Sequence, residues 1–285
     1  MTEDFNIAAR SLNDTERLLL DLKLTYRKKP DGTYEAVGDV DLGARGLTKL
    51  PDLSNVSLTG SFICSGNALT SLKGAPRTVG ENFDCRENLL ETLEGSPVWV
   101  RGNFCASLNR LMTLEGGPRF VDGGYYCNGN SLASLKGAPQ LCAQFDASDN
   151  NLTTLEGGPK EVGKNFWCDN NRLTSLEHGP LKVDELYSCR NNQLETLQGA
   201  PSHAHIFTCT ENRLTRFRHA PERFWQIRTD AGVYGLSTFR VVLEYEERKD
   251  QEAAARDAFA REIAEAAVAQ NPVTVGKPLT LRRSA

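Results

Sequence analysis

The sequence predicts a β-rich solenoid: short parallel strands stacked into a concave sheet, a non-helical convex side, an N-terminal cap and a helical C-terminal segment. Three observations predict it. The phrase Asn82-Phe-Asp-Cys-Arg-Glu-Asn-Leu-Leu-Glu-Thr-Leu returns at 165–176 as Asn-Phe-Trp-Cys-Asp-Asn-Asn-Arg-Leu-Thr-Ser-Leu. A leucine two places after a recurring asparagine keeps register through Leu47, Leu69, Leu90, Leu111, Leu132, Leu152, Leu173, Leu194 and Leu214. These anchors lie about 20 to 22 residues apart, the short end of the range for leucine-rich repeats. One such unit cannot bury its own apolar face, so the units must stack.

Within each unit the aromatic column is Phe62, Phe83, Phe104, Tyr125, Phe145, Phe166, Tyr187 and Phe207. Cys64, Cys85, Cys127, Cys168, Cys189 and Cys209 follow two places later, and positions i and i+2 of a strand face the same way. Both columns therefore point inward, where cysteine acts as a small apolar side chain. Paired ligands at C-x2-4-C spacing are absent, so the thiols read as reduced core residues and no metal is expected. The asparagine column, Asn67 to Asn212, has to satisfy its amides by bonding neighbouring backbone turns. Gly-x-Pro-x-x-Val is too short for a helix, so the convex side should be extended or turn-like, with Pro76 to Pro221 fixing φ there.

Two departures stand out. Asn103-Phe-Cys-Ala-Ser moves its cysteine by one place, which turns Cys105 outward and leaves Ala106 inside. At Cys142 a cysteine replaces the convex valine, a core substitution.

The flanks do not repeat. Residues 1–39 read as an N-terminal cap, with a helix beginning at Asn13-Asp-Thr-Glu, a turn at Lys28-Lys-Pro-Asp-Gly and a strand from Tyr34 to Leu42. Residues 40–222 form the solenoid of about nine repeats. Residues 223–285 form a C-terminal cap: a last partial strand near Phe224-Trp-Gln-Ile-Arg-Thr, then a long alanine-rich helix. Phe259, Ile263 and Ala266 share one helical face, Asn271-Pro272 stops it, and the residues through Lys277 and Arg282-Arg283 form a loose tail. Whether this helix caps the solenoid or binds a partner stays open, as does the oligomeric state.

Composition narrows the function. A net charge of −4 lacks the basic face of a nucleic-acid binder. No apolar run approaches the roughly 18 residues of a membrane span. Met1-Thr-Glu-Asp-Phe-Asn carries no basic-then-apolar leader, so the expected location is cytoplasmic.

The repeat Asn-x-Leu-Thr-Ser-Leu-x-Gly-x-Pro-x-x-Val-Gly-x-x-Phe-x-Cys resembles the short leucine-rich repeats of tailed-phage and some bacterial proteins. Gly38-Asp-Val-Asp-Leu-Gly-Ala-Arg-Gly-Leu-Thr-Lys-Leu-Pro is similar to the start of those proteins, and the likeness covers roughly Gly38 to Pro221. The repeats are also similar to those of secreted bacterial effectors that carry a ubiquitin-ligase domain. That likeness stops at the repeats, because such ligases place a catalytic cysteine in a large C-terminal domain, and the last cysteine here is Cys209. The resemblance implies a binding scaffold with no agreed molecular role; the expectation is a phage-encoded protein of the bacterial cytosol aimed at a host protein.

No nucleophile, acid–base pair or metal set stands out, and no catalytic residue or cofactor is assigned. His203-Ala-His205 reads as a surface pair, and Glu115-Gly-Gly-Pro and Glu156-Gly-Gly-Pro as repeat turns without the lysine and helix of a phosphate loop. The concave face remains. Ile63, Asp84, Cys105, Tyr126, Asp146, Trp167, Ser188 and Thr208 alternate outward, flanked by Asn165, Arg86, Asp169 and Arg190 among small polar residues. Exposed Tyr126 and Trp167 in such surroundings suit interface anchors. The expected function is therefore protein binding without catalysis, through Trp167, Tyr126, Asp146, Asp84, Cys105, Ile63, Asn165, Asp169, Arg190 and Arg86. A structural or virion-assembly component that oligomerises through its ends is the alternative, and an enzyme the least favoured.

Overall fold

The computed structural model describes residues 12–270, with side chains placed as far as residue 262. These residues divide into two compact units, the first ending at Leu236.

The first unit is the solenoid that the repeat predicts. Each rung lays one short strand on the concave side, as at Phe83–Asp84, and most rungs lay another on the convex side, as at Thr78–Val79. Concave strands pair in parallel and in register: Phe62 with Phe83, Phe83 with Phe104, and onward through Tyr125, Phe145, Phe166, Tyr187 and Phe207. All eight rings are sealed from solvent, and successive centroids lie 5.0 to 5.8 Å apart. Such contacts add about 0.5–1.5 kcal/mol per pair beyond area burial. The inward cysteines and the two leucines of each unit complete the core, and Ala106 sits inside while Cys105 is half-exposed.

The asparagine column forms a ladder. Asn88 Nδ2 donates to the carbonyls of Cys64 (3.0 Å), Cys85 (3.1 Å) and Arg86 (3.2 Å), and its Oδ1 accepts the Leu69 N–H at 3.0 Å. The same set recurs at Asn150, Asn171 and Asn192. One side chain thus closes its own turn and ties it to the rung before. The residue preceding each of these asparagines turns left-handed, from Gly66 (φ 65°) through Glu87 (55°), Leu108 (55°) and Asp149 (55°) to Glu211 (59°).

The convex side is extended throughout, with Val79, Val100, Val121, Cys142, Val162 and Val183 turned inward. From Tyr34 to Leu42 the chain makes two strands rather than one. Tyr34–Val37 joins the convex sheet, and Val40–Asp41 starts the concave one, with the turn at Gly38 (φ 122°) between them. An additional strand, Thr25–Lys28, pairs antiparallel with Tyr34–Val37. At the other end Gln226–Thr229 adds a last parallel strand and Gly232–Tyr234 folds back antiparallel. The strand Lys182–Ser188 is long enough to pair on both sides, with Glu161–Val162 and with Phe166–Trp167. Its partner His203–Thr208 has one residue fewer between the paired ends, and the ladder shifts between Val183 and Leu186 to absorb it.

The open N-terminal end is covered by the helix Asp14–Asp21. Asn13 caps it in a reciprocal box with Glu16, and Leu19 is fully buried. Tyr34 is held beneath by Asn13 Nδ2, which donates to its hydroxyl at 2.6 Å.

The second unit, from Ser237, holds all but the first residue of the helix Leu236–Gln270, which includes the segment Thr238 to Glu246. Val241, Tyr245 and Phe259 are exposed on it. The side chains of Ile263 and Ala266, the stop at Asn271-Pro272 and the tail through Lys277 and Arg282-Arg283 lie outside the described residues. No described helix is long and apolar enough to cross a membrane.

Candidate binding face

The register fixes the concave column. Ile63 pairs with Asp84, Asp84 with Cys105, Cys105 with Tyr126, Tyr126 with Asp146, Asp146 with Trp167 and Trp167 with Ser188. Ile63, Asp84, Cys105, Tyr126, Asp146 and Trp167 are each half-buried. Ser188 and Thr208 continue the column but are only 3% and 6% exposed. A short side chain in the pleat is overtopped by its neighbours, so the accessible column is interrupted after Trp167 and resumes at Arg228, the register partner of Thr208.

Ile63, Asp84, Arg86, Cys105 and Tyr126 share one hollow of about 630 Å³. Its apolar surface comes from Ile63, Cys105 and Tyr126 together with Leu108, and Arg86 Nε meets Asp84 Oδ2 at 3.2 Å beside it. Leu108 was not expected from the sequence. It is 53% exposed and left-handed, where the other regular repeats place Gly66, Glu87, Gly129, Asp149, Asn170, Asn191 and Glu211. A leucine there costs roughly 1 kcal/mol of backbone strain. A large apolar side chain at a position that the other regular repeats fill with glycine or a polar residue is the available signal.

Tyr126 lies down rather than standing clear. A Cβ on Gly124 would fall 2.5 Å from its hydroxyl and 2.6 Å from two ring carbons, so the ring crosses the strand where Ser61, Asn82, Asn103 and Asn165 occupy the equivalent position. Burial raises its phenol pKa, with Asp146 adding to the shift.

Asp146, Asn165, Trp167, Asp169 and Arg190 lie outside that hollow, on the following rungs. Asp146 Oδ1 accepts the Ser148 N–H at 2.9 Å. Asp169 Oδ1 accepts the Ser188 hydroxyl at 2.6 Å and the Arg190 N–H at 2.7 Å. Burial pushes both carboxyls above the ordinary aspartate range, and Asp146 adds repulsion at Asp169. The Arg190 guanidinium is ion-paired with Glu211 at 2.7 Å, and its charge offsets only part of the burial at Asp169. Asn165 is engaged by the Leu186 N–H at 3.2 Å. The face therefore runs from an apolar hollow under Tyr126 to a half-buried, anionic stretch around Trp167.

Among the described residues no three His, Cys, Asp or Glu side chains gather as a metal-binding group. His203 and His205 are not brought together as a pair of ligands; His205 instead stacks on Trp225, ring centroids 5.6 Å apart.

No protein-family model matches the chain, and no curated protein matches it. Among solved structures it is similar to YopM from Yersinia enterocolitica WA-314, with a TM-score of 0.47 and 24% identity over 67% of this chain and 47% of that one. It is also similar to YopM, a leucine-rich effector protein from Yersinia pestis, with a TM-score of 0.38 and 20% identity over 66% of this chain and 65% of that one. The chain thus spans about half the length of the first and less than two thirds of the second. Nothing about function follows from likeness at this level.

Proposed function

We propose that the chain is a non-catalytic scaffold that binds a partner protein along its concave face. The hollow of about 630 Å³ beneath Tyr126 carries this reading, because Leu108 keeps an exposed apolar side chain there at the expense of backbone strain. The partner segment presents an aliphatic or aromatic side chain to that hollow and a lysine or arginine to Asp146 and Asp169. These carboxylates are half-buried, and a cation lowers their desolvation penalty. Trp167 flanks the acids as the second anchor. In this reading residues 1–39 cap the solenoid, the protein acts in the bacterial cytosol, and the phage-type repeats point to a host protein as its target.

The test is comparative capture. The immobilised chain retains one protein from bacterial cytosol, and Trp167→Ala and Tyr126→Ala variants lose it. Retention unchanged by both variants contradicts the reading. A stable homo-oligomer seen by mass measurement, with no retained partner, favours the assembly-component alternative.

A further inference from the structure

The convex face carries an apolar stripe that the concave site does not use. Trp99, Phe120 and Leu141 occupy the same outward position on three successive rungs and are 38%, 60% and 65% exposed. Trp99 and Phe120 are register partners. Large aromatic and aliphatic side chains aligned in this way form a patch, unlike apolar residues scattered singly over a surface.

The backbone beneath the stripe is interrupted. Phe120–Val121 pairs only with Trp99–Val100, and Leu141–Cys142 only with Glu161–Val162, so the convex ladder breaks between Phe120 and Leu141. The break falls at a shortened rung, since Pro139 to Phe145 spans 6 steps where Pro118 to Tyr125 spans 7. A hollow of about 540 Å³ opens there between Phe120 and Leu141, bordered by Arg119 and with Val121 and Cys142 beneath. A second hollow of about 320 Å³ lies on the other side of Trp99, bordered by Arg101 and Lys29.

The frame is basic. Arg77, Arg101 and Arg119 are exposed around the stripe, and none of them makes an ion pair among the described residues. Arg101 lies 4.8 Å from the centre of the Trp99 ring. Asp122, the acid beside them, accepts the Trp99 indole N–H at 3.1 Å. Glu35 borders the second hollow but is held by Arg27 at 2.7 Å, Asp31 lies within the field of Arg77, and Glu161 follows Leu141 in the column. The cationic part of the stripe is therefore its Trp99–Phe120 end, where Arg101 and Arg119 are the guanidiniums without an ion pair among the described residues.

We propose that this face is a second docking surface, and that its occupant is an acidic segment of a partner protein carrying an aliphatic or aromatic side chain. The apolar side chain enters the break between Phe120 and Leu141 while its flanking carboxylates meet Arg101 and Arg119. Bidentate arginine–carboxylate contacts supply orientation as well as attraction. The proposal does not rest on the concave reading, since it uses none of the same residues.

The test uses two fluorescein-labelled peptides, one alternating glutamate with leucine and tryptophan, the other with lysine in place of each glutamate. Anisotropy titration of the full chain should show the acidic peptide binding at least about tenfold more tightly, or about 1.4 kcal/mol. Phe120→Ser and the pair Arg101→Glu with Arg119→Glu should each weaken it by at least about tenfold, with the melting temperature kept. Trp167→Ala should leave it unchanged. The proposal is overturned if the peptides bind equally, if neither binds at about 1 mM, or if Phe120→Ser has no effect. It is also overturned if the chain alone dimerises and Phe120→Ser makes it monomeric, which would identify a second copy as the occupant. Binding of anionic vesicles that the acidic peptide cannot displace would assign the face to a lipid surface instead.

Discussion

The ring of Tyr126 lies across Gly124, so closely that a single added carbon on Gly124 would reach within 2.5 Å of the phenol oxygen. Two residues apart on one face of a strand, the glycine sets the attitude of the tyrosine. The neighbouring rungs fill this position with Asn103 and Gln144, which leave no such space. Replacement of Gly124 by asparagine must lift the ring or displace the strand, a loss of about 1–3 kcal/mol. The double variant Gly124→Asn with Tyr126→Ala should recover most of that loss, giving a coupling visible in a denaturation cycle. Additive single effects would mean that the ring is free of the glycine.

Cysteine reactivity reports the same register. Cys85, Cys127, Cys168 and Cys189 are buried and their thiols are pushed far above the usual range, while Cys142 and Cys209 are pushed up to about 12. Cys105 is half-exposed on the concave column. In the native protein a thiol reagent should label Cys105 first and the other cysteines only on unfolding. Rapid native labelling of Cys85 or Cys168 would contradict the inward assignment.

The asparagine ladder predicts an asymmetry between two residues two places apart. Asn130 Nδ2 donates to Ala106 O and Cys127 O, both at 3.0 Å, and its Oδ1 accepts the Leu111 N–H at 2.9 Å. For Asn128, on the concave face, the bond to another side chain is with the Ser107 hydroxyl. Asn130→Ala should lower stability by about 1–3 kcal/mol through unsatisfied backbone groups. Asn128→Ala should cost less, and equal denaturation midpoints would refute the ladder.

The concave carboxylates reverse the usual sense of an aspartate's pH dependence. The Asp146 carboxyl is raised, by burial first, above its ordinary value of 3.8. Folding then favours the protonated form, so this residue's contribution to stability falls as pH rises from about the unfolded value through the folded one. Asp84 and Asp169 are raised in the same direction and by the same cause. Asp146→Asn keeps an acceptor for the Ser148 N–H and removes the desolvated charge. It should therefore melt no lower than the parent at pH 7, and the difference should shrink on acidification. A lower melting temperature at pH 7 would show that the charge is compensated.

Much of the fold was legible because each rung repeats the same chemistry. Aromatic, cysteine and asparagine columns have one geometric solution once parallel rungs are stacked, and Cys105 could be turned outward from a single displaced letter. What escaped lies where the repeat constrains least. Convex position 120 carries Phe, and its equivalents carry Thr78, Trp99, Leu141 and Glu161, so the pattern could not announce an exposed stripe. Alternation makes Ser188 an accessible member of the concave column, yet its neighbours bury it and Asp169 holds its hydroxyl. Alternation gives direction along a strand but not the height of the side chains around it. The attitude of Tyr126 depended in the same way on the space above Gly124.

The most direct test of the binding face is Trp167→Ala, measured for affinity and melting temperature together. Trp167 is half-buried beside Asp146 in the register. Truncation of an aromatic anchor should weaken the captured partner by at least about tenfold, or about 1.4 kcal/mol. The melting temperature should stay close to that of the parent, and the exposed Thr174→Ala control should change neither. Unchanged affinity, or a sharp fall in melting temperature that accounts for the lost binding, would contradict the concave face as the site of recognition.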